Sequence, residues 1–285
     1  MDKRFKDPDY EKKAKVWVVV AAHKDCVMPG DRMYIPLHVG AEGKLAGDGT
    51  PLDLGFQKDN TGENISALNS QFCELTGLYW AWKNLSSEYL GLAHYRRHFR
   101  GKKRKKNKYE SILRYRELRP MLNGARVIVP KKRRYYIETL YSHYEHTHHI
   151  EELDTAREIL EERYPEYLPS YERVMRQNWG YMFNMMIMKK DLVDEYCTWI
   201  FDILFDLVER LKGREGLTDF DLRYPGRVSE LFFNVWLARQ VESGRIKKEE
   251  IREVPFVYTE KINYRQKVVT FLTAKFFHKK FRKSA

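Results

Sequence analysis

Val16–Ala22 (VWVVVAA) is an unbroken apolar run rich in valine. Such a run predicts a strand buried on both faces, of the kind that opens an α/β domain. Four later runs predict further strands: Tyr89–Ala93 (YLGLA), Ala125–Pro130 (ARVIVP), Tyr181–Met188 (YMFNMMIM) and the short Glu253–Tyr258. Elsewhere the apolar spacing changes to that of helices. Asn69–Asn84 carries Phe72, Leu75, Leu78, Tyr79 and Trp82 at helical intervals. Glu151–Arg163 reads as a charged helix, Leu192–Leu211 as a long amphipathic one and Val228–Gln240 as another. Strands alternating with helices predict an α/β fold with a mixed, mostly parallel sheet. Residues 40–64 are rich in Gly and Asp and read as a long functional loop.

Charge sharpens this picture. The net charge is +12, and nine of the basic residues fall within residues 96–108. Eight more lie from Lys261 to the end, with no acid among them. Two basic blocks on a balanced body imply anionic partners. In the tail, Val268, Leu272 and Phe276 recur at i, i+4 among lysines and arginines, which is the pattern of a basic amphipathic helix at a membrane surface. No stretch approaches the roughly 20 apolar residues of a membrane span. The charged N-terminus lacks the apolar core of a secretory signal. Three widely spaced cysteines, Cys26, Cys73 and Cys197, suit a reducing cytoplasm better than a disulfide framework.

The dinucleotide-binding, P-loop, zinc-protease and nucleophile-elbow signatures are absent from the sequence. Three constellations remain. His23 and Lys24 follow the first predicted strand, and His94, Tyr95, Arg96 and Arg97 end the second; open α/β sheets bind ligands at such carboxyl ends. Adjacent arginines offer planar forks of donors that match the oxygens of a diphosphate. Asp59, Asn60 and Asn64 lie in the string DNTGEN, which suits sugar or ribose hydroxyls and equally suits a turn chosen for its backbone geometry. His143, His146, His148 and His149 form a third cluster, readable as a base, a partial metal set or an aromatic helix start.

The strings YIPLHVGA (Tyr34–Ala41), DNTGENIS (Asp59–Ser66), CELTGLYWAWKN (Cys73–Asn84), YLGLAHYRR (Tyr89–Arg97) and RVSEL (Arg227–Leu231) occur in that order. In this order they resemble a bacterial family long filed as a domain of unknown function. Its members are commonly labelled capsular or exopolysaccharide glycosyltransferases. The resemblance covers roughly residues 15–260 and implies a GT-A-like fold, a Rossmann-type nucleotide-sugar domain over 16–260; on either side the residues themselves give a charged extension over 1–15 and a basic amphipathic tail over 261–285. It implies transfer of a sugar, a hexose or galactofuranose carried on UDP, to a lipid-linked polysaccharide acceptor. The donor-binding set is then His23, Lys24, Asp59, Asn60, Asn64, Glu74, His94, Tyr95, Arg96, Arg97 and Asn184. YMFNMMIM resembles a strand that recurs in GT-A enzymes, but Met185 and Met186 replace its small residue.

Many GT-A enzymes place a metal-binding Asp-x-Asp where this chain has His94-Tyr95-Arg96. Fixed arginines can stabilise a leaving diphosphate as a metal does, so transfer without a metal cofactor is expected, with Mg²⁺ or Mn²⁺ as the alternative. Asp219-Phe220-Asp221 is an Asp-x-Asp far along the chain and reads as a solvated loop. The base that takes the acceptor proton is expected to be Glu230, at a predicted helix start, with His149 second. The partners expected are a UDP-sugar, a polyprenyl-diphosphate-linked saccharide and, through the tail, the anionic inner face of the plasma membrane, with no nucleic acid. Two other classes compete with this reading. A nucleic-acid-binding protein would explain the basic balance, but no recognition motif supports it. A non-catalytic sugar-nucleotide-binding subunit would share every donor residue.

Overall fold

In the computed structural model, residues 15–260 are described. The expected basic tail and nearly all of the N-terminal extension lie outside them. Eleven strands are found in chain order: β1 (Val16–Ala22), β2 (Tyr34–His38), β3 (Gln57–Lys58), β4 (Tyr89–His94), β5 (Arg97–Phe99), β6 (Val127–Pro130), β7 (Arg133–Arg134), β8 (Trp179–Gly180), β9 (Met186–Lys189), β10 (Ile251–Val254) and β11 (Phe256–Tyr258). The described residues divide into two compact units.

Among the described residues, the first unit comprises those up to Lys131, Asn184–Cys197 and Ile246–Thr259. Its sheet has the order β10-β6-β9-β4-β1-β2-β3, with β5 joining β4 to β11. Along that path the pairs β6–β10, β4–β1, β1–β2 and β2–β3 are parallel, and only β9 runs against its neighbours. The mixed, mostly parallel sheet read from the sequence is therefore present. All seven residues of β1 are buried, which explains why the run is apolar on both faces. The helix Leu75–Asn84 packs on the sheet with Gly77 inward; a Cβ there would stand 2.9 Å from Val39 Cγ1 and 3.1 Å from Leu37 Cδ2.

The second unit comprises Lys132–Phe183 and Thr198–Arg245. It is largely helical, built on Leu140–Thr147, Glu151–Arg163, Leu168–Met175, Tyr224–Glu242 and the later turns of Lys190–Arg210, with β7 and β8 as a two-stranded ribbon. Aromatic rings pack together in it: Tyr167 stacks on Trp199 at 4.8 Å, Trp199 lies tilted against Phe232 at 5.8 Å and Tyr171 meets Phe232 edge-on at 5.9 Å.

Four elements differ from their sequence expectation: the single strand expected over Glu253–Tyr258 is two, β10 and β11, on either side of Pro255, and three others depart as follows. The helix expected over Asn69–Asn84 breaks at Cys73, whose φ is +51°. The Asn69 side chain causes the break: its Nδ2 donates to the Cys73 carbonyl at 2.7 Å and to Thr76 Oγ1 at 3.0 Å. The strand expected over Tyr181–Met188 begins only at Met186, because Phe183 and Asn184 form a left-handed turn with φ of +77° and +51°. The helix expected to start at Val228 starts at Tyr224, with Pro225 in its first turn.

Candidate functional site

The carboxyl ends of β1 and β4 lie side by side, because Ala21 is opposite His94 in a parallel pair. The Tyr95 N–H donates to the Ala21 carbonyl at 3.0 Å and ties the two exits together. Beyond them the chain delivers His23 and Lys24 from one strand, Tyr95 and Arg96 from the other. The Tyr95 ring is their meeting point. His23 meets it edge-on at 5.3 Å, the Lys24 ammonium stands 5.0 Å from its centroid and the Arg96 guanidinium 5.9 Å. A π face attracts cations, but two around one ring repel each other, and an anion placed between them relieves that repulsion.

Glu74 borders this cluster. Its Oε1 accepts from Asn184 Nδ2 at 2.8 Å and lies 3.9 Å from His94 Nε2. The break at Cys73 makes this possible, since it puts Glu74 at the start of the helix Leu75–Asn84 instead of inside a longer one. Among the described residues, Cys73, Tyr136, Phe183 and Asn184 are the non-glycine positions with positive φ. Three of them therefore flank the Glu74–Asn184 bond. Such backbone outliers cluster where a site holds its side chains against local preference.

The two arginines expected to act together do not occupy equivalent positions. Arg96 lies in the turn after β4, whereas Arg97 opens β5 and its guanidinium sits 5.6 Å from the Tyr258 ring on β11. Thr259 fixes the turn between them: its Oγ1 donates to the Tyr95 carbonyl and its N–H to the Arg96 carbonyl, both at 3.1 Å. Sequence reasoning missed Tyr258 and Thr259, because nothing local marks a contact across some 160 residues. His98 supports the turn from beneath. It is fully buried with Nε2 3.1 Å from the Tyr95 carbonyl, and burial pushes its imidazole down to about 4.

The DNTGEN residues have a different place. Asp59 is fully buried, and its carboxylate accepts from Gly40 N (2.8 Å), Ala41 N (3.1 Å), Ser66 Oγ (2.5 Å) and Thr76 Oγ1 (2.7 Å). Asn60 donates to Glu42 at 3.1 Å. Asn64 accepts from Ser66 N and donates to the Gly62 carbonyl, which closes a local turn. The expected donor contact from Asp59 is thus corrected: all its acceptor capacity is used inside the fold. One face of the helix Leu75–Asn84 grips this loop. Thr76 reaches Asp59, Trp80 Nε1 donates to Thr61 at 3.0 Å, and Asn84 Nδ2 donates to the Glu63 carbonyl at 2.8 Å.

Glu230 and His149 belong to the second unit. Glu230 is half-buried in the second turn of its helix, past the first turn where the macrodipole acts. Its carbonyl accepts from Asn234 Nδ2 at 2.8 Å. His149 Nε2 stands 3.5 Å from Asp221, whose other oxygen accepts from Thr218 N and Oγ1. The four histidines do not form one group. His143 and His146 each place Nδ1 2.8 Å from one oxygen of the buried Glu138, while His148 packs against Tyr144 and Phe220. Glu138 went unread in the sequence, as did Glu152, fully buried and bonded by Tyr144 and Arg214. Spacing does not distinguish a carboxylate that turns inward from one that is solvated.

Among the described residues, no group of three or more His, Cys, Asp or Glu stands ready to hold a metal ion. No described helix is long and apolar enough to cross a membrane. The fold is similar to a solved structure titled as a WbbM bifunctional glycosyltransferase, with a TM-score of 0.78 and 28% identity over 87% of this chain. The match spans 46% of that longer chain. Comparison with curated proteins gives no match. Residues 17–241 match the family described as "Domain of unknown function (DUF4422)", the kind of family the ordered motifs resemble, and the chain belongs to it.

Proposed function

We propose that the protein is a glycosyltransferase that takes a sugar, a hexose or galactofuranose, from a UDP-linked donor. The observation that carries this reading is the convergence of Lys24 and Arg96 on Tyr95 at the carboxyl edge of a parallel sheet. In the reaction, the bond between the anomeric carbon and the diphosphate oxygen breaks, and its electron pair stays with the diphosphate. Lys24 and Arg96 meet that growing charge with fixed positive groups. A metal ion would meet the same cations as repulsion, so the donor set favours transfer without one. Glu74, held by Asn184, accepts hydrogen bonds from hydroxyls of the donor sugar or ribose.

The acceptor hydroxyl forms the new bond to the anomeric carbon, and its proton needs a base. Glu230 is the first candidate and His149 the second. The acceptor in this reading is a polyprenyl-diphosphate-linked saccharide of a capsule, O-antigen or exopolysaccharide. The enzyme then works as a peripheral protein on the cytoplasmic face of the plasma membrane. Similarity to a structure titled as a glycosyltransferase supports the class of reaction.

A panel of UDP-sugars tests the donor by thermal shift, since a ligand that binds only the folded state must raise its stability. The matching donor, offered with lipid-linked acceptors, should then yield a lengthened glycan. Glu230→Gln should depress turnover by about 10²–10⁴-fold with donor affinity unchanged. Full turnover in that variant would move the role to His149. A protein that no UDP-sugar stabilises is not this enzyme.

A further inference from the structure

The turn that follows β7 carries a surface that the transfer reaction does not use. Lys132, Arg133 and Arg134 are consecutive cations on the ribbon formed by β7 and β8. Rings hold the first two: Lys132 Nζ lies 4.0 Å from the Trp179 centroid, and the Arg133 guanidinium 5.0 Å from that of Tyr135. The chain then reverses sharply. Ile137 N donates to the Tyr135 carbonyl at 2.6 Å, and Tyr136 takes a φ of +56°. Tyr136 is 81% exposed and Ile137 65%, the highest values among the exposed large hydrophobic residues described.

The next residue, Glu138, is the only acid nearby in sequence, and it is 4% exposed with its oxygens engaged by His143 and His146. Thr139 then caps the helix Leu140–Thr147 and anchors the C-terminal side of the turn. Arg133, Arg134, the Tyr136 ring and the branched Ile137 chain are exposed at this turn. A left-handed φ is unfavourable for tyrosine, and glycine would relieve it. A left-handed φ at the most exposed ring among the described residues points to a use for that ring.

We propose that the Lys132–Ile137 turn is a membrane-contact loop that docks on an anionic bilayer. The arginines and Lys132 meet headgroup phosphates, Tyr136 sits at the interfacial level and Ile137 enters the acyl boundary. A neutral saccharide would gain nothing from three cations, and neither a saccharide nor a nucleic acid has a use for Ile137. A bilayer uses all five side chains. This deepens the peripheral attachment proposed above, and its test reads binding alone, so it stands or falls separately from sugar transfer.

The test uses the full chain, tail included. Tyr136→Trp reports insertion through its own emission, taken as the difference from the parent protein. On vesicles of phosphatidylcholine with phosphatidylglycerol, that emission should shift to the blue and be quenched by brominated acyl chains. On phosphatidylcholine alone both effects should be small. Inorganic pyrophosphate should not reproduce the shift, which separates a bilayer from a free phosphate ligand. Tyr136→Ser combined with Ile137→Ser should lower the vesicle partition coefficient about tenfold at unchanged melting temperature. The proposal is overturned if the protein sediments with anionic vesicles while the reporter shows neither shift nor quenching. It is equally overturned if a saccharide or pyrophosphate, and not the vesicle, moves the emission.

Discussion

Two neighbouring regions of the first unit attract the eye for different reasons. The loop 59–66 and the helix Leu75–Asn84 hold the densest family strings, and hydrogen bonds from Thr76 to Asp59, Trp80 to Thr61 and Asn84 to Glu63 tie the two together. Asp59 alone accepts four hydrogen bonds in a fully buried position. The exits of β1 and β4 hold fewer motif letters, yet there His23, Lys24 and Arg96 gather on one ring. The first region ties its buried carboxylate into the fold and the second presents charge. A string of polar residues thus marks structure when its members bond each other, and marks a site when they converge on a common point.

The largest effect that can test this contrast is on folding. Asp59→Ala leaves the Gly40 and Ala41 N–H groups and two hydroxyls without their acceptor, and should cost about 3–5 kcal/mol of stability. Chemical denaturation measures it, and an unchanged midpoint would return Asp59 to the site. The next effect is on acid stability. His98 is pushed down to about 4 by burial, whereas an exposed histidine titrates near 6.5. Between those values the unfolded chain binds a proton that the folded one refuses. Stability from His98 is therefore complete above about pH 6.5 and lost as pH falls toward 4, by on the order of 3 kcal/mol. His38, also buried and likewise lowered mainly by burial, adds in the same direction. His98→Phe should flatten the slope in a series of melts from pH 7 to pH 4.

On the site side, Arg96→Ala should weaken UDP binding by about 1.5–3 kcal/mol and leave the melting temperature in place. Arg97→Ala should affect UDP less, since its guanidinium lies over Tyr258. Equal losses in both would restore the paired-arginine picture. The smallest effect is at the helix end. Asn84→Ala removes the bonds to Glu63 and should cost about 1–2 kcal/mol of stability with UDP affinity unchanged.

The sheet was largely legible because apolar runs of strand length have few other fates. Val16–Ala22 and Glu151–Arg163 match their elements to the residue. Where reading failed, the cause was a backbone angle or a distant partner. Pro36 argues against a central strand, yet β2 lies between β1 and β3. The left-handed turn at Phe183–Asn184 interrupts an apolar run that gives no local sign of it. Tyr95 and Arg96 could be named from their place after a strand. That Thr259 fixes their turn, and that Arg97 departs toward Tyr258, depends on chain far away in sequence.

In the proposed reaction fixed cations, and not a metal ion, receive the donor diphosphate. Calorimetric titration of UDP, UMP and uridine into the full chain, with EDTA present throughout, tests it most directly. UDP should bind tightest and uridine weakest, added Mn²⁺ should alter the UDP affinity only mildly, and Lys24→Ala and Arg96→Ala should each reduce the advantage of UDP over uridine. Binding of UDP that appears only with Mn²⁺, or an advantage that survives both substitutions, would contradict the claim.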